Sequence, residues 1–182
     1  MSTNSRNLSG RPLEGEFARY AKADIDQVFG DDAVEALATQ EKSTVTLVGS
    51  LDETKVRGLT YAPGKWTLKE VVGHLADDER IFTYRALCIA RRDPLPLPGF
   101  DEKAYVEFAG FENRTLEDVL GEYRAVRRAS IAFFRGLAPE AWLRRGTVNE
   151  YEASVRGLAF HIAGHELHHL RTLRERYLPK LS

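Results

Sequence analysis

"HIAGHELHH", residues 161–169, holds four of the chain's five histidines, and its reading decides the fold. His165-Glu166-Leu167-His168-His169 satisfies the HExxH pattern of zinc peptidases, in which two histidines hold the metal and the glutamate activates water. The same letters also describe an i, i+4 histidine pair on any helix, with Cβ atoms roughly 5–6 Å apart on one face. Two ligands do not make a site, so the source of a third separates the two readings. Downstream of His169 the only further candidate is Glu175. On a helical wheel it points about 100° away from the pair. Peptidases of this kind also hold substrate on a strand edge, and no convincing strand pair is legible. The peptidase reading is therefore set aside for a helical one.

On that wheel, with His161 at 0°, His165 falls at about 40°, His169 at about 80° and His168 at about 340°. Val155, Leu158, Ile162, Leu170 and Leu173 centre an apolar stripe near about 120°. His165 and His169 border this stripe, Glu166 points into it, and His161 and His168 turn toward solvent or a neighbouring element. The remaining histidine, His74 in "VVGHLADDE", borders the core face of its own helix and is placed to meet the last helix across a bundle. His74, His165 and His169 are thus the candidate metal ligands. Asp78, one turn beyond His74, is a candidate acceptor for the second ring proton of a ligand histidine, or a partner for Arg85. Glu166 is a second candidate support, because a carboxylate aimed into a core requires partners.

Outward from these helices the pattern is helical throughout. Leu13 to Val28 recur at helical spacing and end at Gly30, which predicts a short N-terminal helix. A longer helix is expected from Asp31/Asp32 to about Leu51, although the β-branched run from Ser43 to Val48 weakens it. Thr67-Leu68-Lys69-Glu70 is a capping box that opens a helix over about 68–91. "RRDPLPLPGFDEKAYVEFAGFENR", 91–114, has prolines at alternate positions and reads as a long crossover. Its Phe100, Tyr105, Phe108 and Phe111 are candidates for core packing or for roofing a pocket. A further helix runs from Thr115 to near Gly136, and Asn149–Glu152 are expected to cap the last one, which stops before Pro179. The fold expected is all-α: a four-helix bundle with a long crossover between bundle helices 2 and 3, plus the short N-terminal helix. Residues 1–12 read as a flexible arm and 13–182 as one domain.

Lysine plus arginine (26) balances aspartate plus glutamate (27), so there is no basic field for nucleic acid. No stretch approaches the roughly 20 apolar residues that span a bilayer, and the start lacks a signal-peptide core, so a soluble cytoplasmic protein is expected. The lone Cys88 sits in a helical run and reads as a packed thiol.

"KWTLKEVVGHLADDERIFTYR", a Pro-rich crossover and a final "HIAGHELHHLRTL" together resemble the DinB-like (YfiT-like) superfamily of metal-dependent enzymes, in its second DinB-type branch. The resemblance spans roughly residues 32–178. It implies a divalent metal, usually nickel or zinc, on one histidine of the second bundle helix and the two ends of an HxxxH in the fourth. Those positions are His74, His165 and His169. It also implies a small-molecule substrate and a homodimer. Characterised relatives use a low-molecular-weight thiol as cosubstrate. The function expected is thiol S-transfer or hydrolysis by a metal-activated thiol or water. The alternative is a non-catalytic metal-binding bundle serving as sensor or scaffold. The N-terminal helix precedes the family's usual start.

Overall fold

The computed structural model describes residues 10–181. Its helices are α1 (Lys22–Ile25), α2 (Ala33–Gly49), α3 (Glu53–Val56), α4 (Leu68–Ala90), α5 (Glu102–Ala109), α6 (Leu116–Arg135) and α7 (Val155–Thr172). Two short strands, β1 (Arg145–Val148) and β2 (Tyr151–Ser154), precede α7. The four long helices α2, α4, α6 and α7 form the bundle. α2 and α4 lie diagonally, each packed on both α6 and α7.

The capping box predicted at Thr67 is present. Thr67 accepts from the Glu70 amide (3.2 Å), and Glu70 accepts from the Thr67 amide (2.7 Å), closing the box that starts α4. Asp32 and Thr115 cap α2 and α6 through their side-chain oxygens alone, Asp32 accepting from the Val34 and Glu35 amides and Thr115 from the Asp118 amide. The β-branched run in α2 is helical, because Thr44 and Val48 are wholly buried in the bundle and packing outweighs intrinsic propensity.

The apolar core falls into two clusters. One gathers Leu37, Phe82, Phe134, Leu158 and Phe160, and the other Val48, Leu68, Val72, Tyr123 and Leu170. Between them, in sequence register on all four helices, runs a buried polar belt: Gln40 and Thr44, His74 to Glu79, Arg127, and His161 to Glu166. His74 and His165 lie within this belt, and His169 stands one turn beyond it on the last helix.

Three expectations change. Asn149–Glu152 do not cap the last helix; they form the turn and start of a β-hairpin, and Ser154 caps α7 by accepting from the Gly157 amide (3.0 Å). Asn149 and Glu150 both adopt positive φ (43° and 69°), as a two-residue hairpin turn demands. Glutamate is not a residue that advertises such a turn, which is why the strand pair was missed. The hairpin also holds the crossover, through Leu97 N to Thr147 O and Asn149 N to Leu97 O (2.9 Å each). Second, the crossover contains the helix α5, capped by Asp101 and ended by left-handed Gly110. Buried Lys69 pins its far end by donating to the carbonyls of Glu112 (3.2 Å) and Arg114 (2.8 Å).

Third, the N-terminal helix is shorter than expected. Only a 3-10 turn (Arg19–Ala21) and α1 are helical, and Gly15 at φ 85° breaks the rest. This segment lies along α7. A Cβ on Gly164 would stand 2.6 Å from the Asp24 carbonyl carbon, and one on Gly157 would overlap the Glu16 carbonyl, so only glycine permits the approach. Buried Glu16 accepts from Arg156 (2.6 and 2.7 Å) and fastens the segment to the start of α7. Of the arm expected over 1–12, residues 1–9 lie outside the described residues. Arg11 is held by the carbonyls of Ile25 (2.9 Å), Val28 (2.6 Å) and Gly30 (2.8 Å).

Candidate metal centre

α4 and α7 run antiparallel, so the turn carrying His74 and Asp78 faces the turns carrying His169, His165 and His161. The Nε2 atoms of His74 and His165 are 3.2 Å apart, and those of His169 and His165 3.0 Å. These are the three residues selected from the sequence, and among the described residues they form a group able to hold a metal, their ligand atoms all within 4.8 Å of one another. Metal–nitrogen bonds of about 2.0–2.1 Å would space neighbouring nitrogens roughly 3.3 Å apart in tetrahedral and 2.9 Å in octahedral coordination. The two observed spacings fall between these values.

The electrostatics favour the same use. Burial and then the charge of His165 bring His74 down to about 4; burial and the neighbouring histidines bring His169 down to about 2. Both are neutral imidazoles near pH 7, with lone pairs available. His165 differs. Burial opposes its charge, but Asp78 beside it outweighs burial and raises it. Its Nδ1 lies 3.2 Å from Asp78 Oδ2, close but out of line for a full hydrogen bond, so this buried carboxylate oxygen has no aligned donor. Burial disfavours the Asp78 charge, yet His165, His161 and His74 together hold its carboxyl well below the usual range. A carboxylate behind one ligand fixes the tautomer that turns Nε2 inward, and a cation at the three nitrogens would complete the charge balance.

The other expected site residues fall differently. Glu166 is wholly buried, but its hydrogen bonds among the described residues come from Thr44, Tyr123 (2.6 Å) and Arg127, not from a histidine. It braces three helices and cannot serve as a peptidase base. His161 is buried rather than solvated: its ring stacks on Phe82 at 3.9 Å, and its Nε2 is 3.9 Å from Asp78. His168 is half exposed, with Nδ1 3.3 Å from Asp24 of the N-terminal segment. Arg85 does not pair with Asp78; it donates to the Pro98 carbonyl (2.6 Å). Phe111 packs in the core against Gly73, Phe108 is exposed, and Phe100 stands beside Arg85.

Two clefts approach the histidines. One, of about 730 Å³, is bounded by Trp66, His169 and Arg176; the other, of about 350 Å³, by Asp78, His161 and His165. Glu102, at the start of α5, borders both. Trp66 shields one side of the cluster, its ring 4.7 Å from that of His74. Sequence reasoning missed Trp66 and Glu102, because neither carries a signal until the crossover and the 61–66 turn are placed over the helices.

Fold and site together define a class: a four-helix bundle that gathers three histidines from two antiparallel helices at the end of a polar belt. Within that class, the family model of the DinB superfamily matches residues 36–173, and the chain belongs to this superfamily. The N-terminal segment along α7 precedes the matched region. Among solved structures the chain is similar to YfiT from Bacillus subtilis, with a TM-score of 0.68 and 19% sequence identity over 95% of this chain and 97% of that one. YfiT is described as a probable metal-dependent hydrolase with an unusual four-helix bundle topology. No curated protein matches the chain.

Proposed function

We propose that the protein is a metal-dependent enzyme whose divalent cation, nickel or zinc, is held by His74, His165 and His169. It acts on a small molecule as a hydrolase or thiol S-transferase. The observation that carries this is the convergence of three imidazole Nε2 atoms, two of them on rings kept neutral by burial, with Asp78 behind the third. A cation bound there would supply Lewis acidity, bringing a water or a thiol into its nucleophilic form near neutral pH.

This chain's own residues do the rest. Asp78 holds His165 in one tautomer and balances charge at the centre. Trp66 covers the His74 side of the centre and leaves the two clefts as the approaches for substrate. Glu102 is the carboxylate on the roof nearest both clefts and is placed to take a proton from an incoming thiol or water. The description of YfiT supports the hydrolytic branch; the larger cleft beside His169 has room for a thiol cosubstrate. Residues 13–182 act as one domain in this proposal, in a cytoplasmic protein that assembles as a homodimer. Among the described residues no helix is long and apolar enough to cross a membrane.

The test is a paired screen, hydrolysis of activated esters and amides and conjugation of low-molecular-weight thiols to an electrophile, run on metal-loaded wild type and His74→Ala. Activity in wild type that is lost in the variant supports the proposal. Equal rates in both reactions would remove it.

A further inference from the structure

The smaller cleft contains a charge that has no counter-ion among the described residues. Arg85 lies three turns below His74 on the same face of α4, and its side chain bends back toward the histidines. Only 4% of the residue is exposed. Its guanidinium sits over the rings of Phe82 (4.8 Å) and Phe100 (5.6 Å) and gives one hydrogen bond, to the Pro98 carbonyl at 2.6 Å. Among the described residues no carboxylate lies within ion-pair distance of it. The other deeply buried arginine, Arg127, has two carboxylates on its guanidinium. A buried cation without a counter-ion is costly, and a guanidinium presents five donors, of which one is used among the described residues. The remaining donors border a cleft of about 350 Å³ whose far end is His165 and Asp78.

We propose that Arg85 anchors a carboxylate of the substrate, so that this protein acts on small, flat monocarboxylic acids with the reacting group directed at His165. The planar fork matches a carboxylate bidentately, and Phe82 and Phe100 fix the plane of the fork. Asp78 and Glu102 border the same cleft, and their charge opposes a dianionic phosphate more than a monoanion. The volume is at the low end for ligand sites, which limits the acid to a small one. This rests on the reading of the histidine cluster as the reacting centre, and Arg85 then sets specificity rather than reactivity.

The test uses benzoate as probe and benzamide as its neutral isostere, with dissociation constants measured by calorimetry or ligand-detected NMR on wild type, Arg85→Gln, Arg85→Lys and His74→Ala. Circular dichroism and metal analysis accompany each variant. The expected result is benzoate affinity at least about tenfold weaker in Arg85→Gln, with an intermediate loss in Arg85→Lys and benzamide unaffected. Benzoate lost in His74→Ala but kept in Arg85→Gln would place the anion on a metal and overturn the anchor. Benzoate kept in His74→Ala and lost in Arg85→Gln would uphold the anchor even if the metal reading fails. Equal weakening of benzoate and benzamide, or no saturable binding of benzoate by wild type, would also overturn it. Should Arg85→Gln fail to fold, Arg85→Lys decides alone, since it keeps the charge and removes the fork.

Discussion

Replacing Arg127 by Met tests whether the polar belt is a single charged unit. The Arg127 guanidinium is 1% exposed; its Nε is 2.9 Å from both oxygens of Glu79, its Nη2 meets Glu79 (2.8 Å) and Glu166, and its Nη1 donates to the Leu37 carbonyl (3.1 Å). The substitution leaves two wholly buried carboxylates without their cation. Breaking a buried pair in this way costs about 3–5 kcal/mol, and here one cation serves two anions. For a chain of this size each kcal/mol lowers the melting temperature by roughly 2–4 °C, so a fall of roughly 6–20 °C is expected. Glu79 adds a pH signature. Burial, only partly offset by Arg127, already raises its carboxyl above the ordinary value. The folded state then holds that proton more tightly than the unfolded chain, so stability falls as pH rises through and above the ordinary carboxylate range. Without Arg127 this slope steepens, and the variant should recover stability when pH is lowered from about 8 to about 5.5. Thermal and urea unfolding followed by circular dichroism read both effects, and Arg127→Met with Glu79→Gln should restore part of the loss. A loss below about 1 kcal/mol with no steeper pH slope would refute the reasoning.

Three further outcomes follow from the site and its supports. Asp78→Asn removes the charge behind His165 and should weaken metal binding by about 10–100-fold in chelator competition, with the helices intact; unchanged affinity would mean that Asp78 does not act on the ligands. Metal affinity should begin to fall while pH is still above the ordinary histidine value of about 6.5 and keep falling below it, because His165 is raised and must give up its proton on binding while His74 and His169 are already neutral. Calorimetry in two buffers of different ionisation enthalpy would read that proton. Gly164→Leu drives a side chain into the backbone of Asp24 and Ile25, and should cost about 1–3 kcal/mol and expose the N-terminal segment to proteolysis before the bundle; unaltered cleavage kinetics would show the segment is not held there.

The bundle and the three histidines were legible because both rest on local periodicity: the capping box at Thr67, the 3.6-residue apolar stripe, and an i, i+4 pair whose wheel position matched that of His74. The hairpin was not, since its turn uses Asn149-Glu150 instead of a glycine. Nor was the burial of His161, because its cover comes from Phe82 on α4. Glu166 could be read as a carboxylate in need of partners, but not which ones: they lie on α2 and α6 at Thr44, Tyr123 and Arg127, up to 122 residues away. Arg85 shows the same limit: a helical wheel places it, while the absence of a counter-ion appears only when the neighbouring elements are in place.

The central claim is that His74, His165 and His169 hold one divalent cation. Elemental analysis of protein purified without an affinity tag, alongside His74→Ala, His165→Ala and His169→Ala of intact helicity, tests it directly. The account predicts about one nickel or zinc per chain in wild type, lost in each variant. Less than about 0.1 per chain, unrestored by added nickel or zinc, or undiminished metal in the three variants, would contradict it.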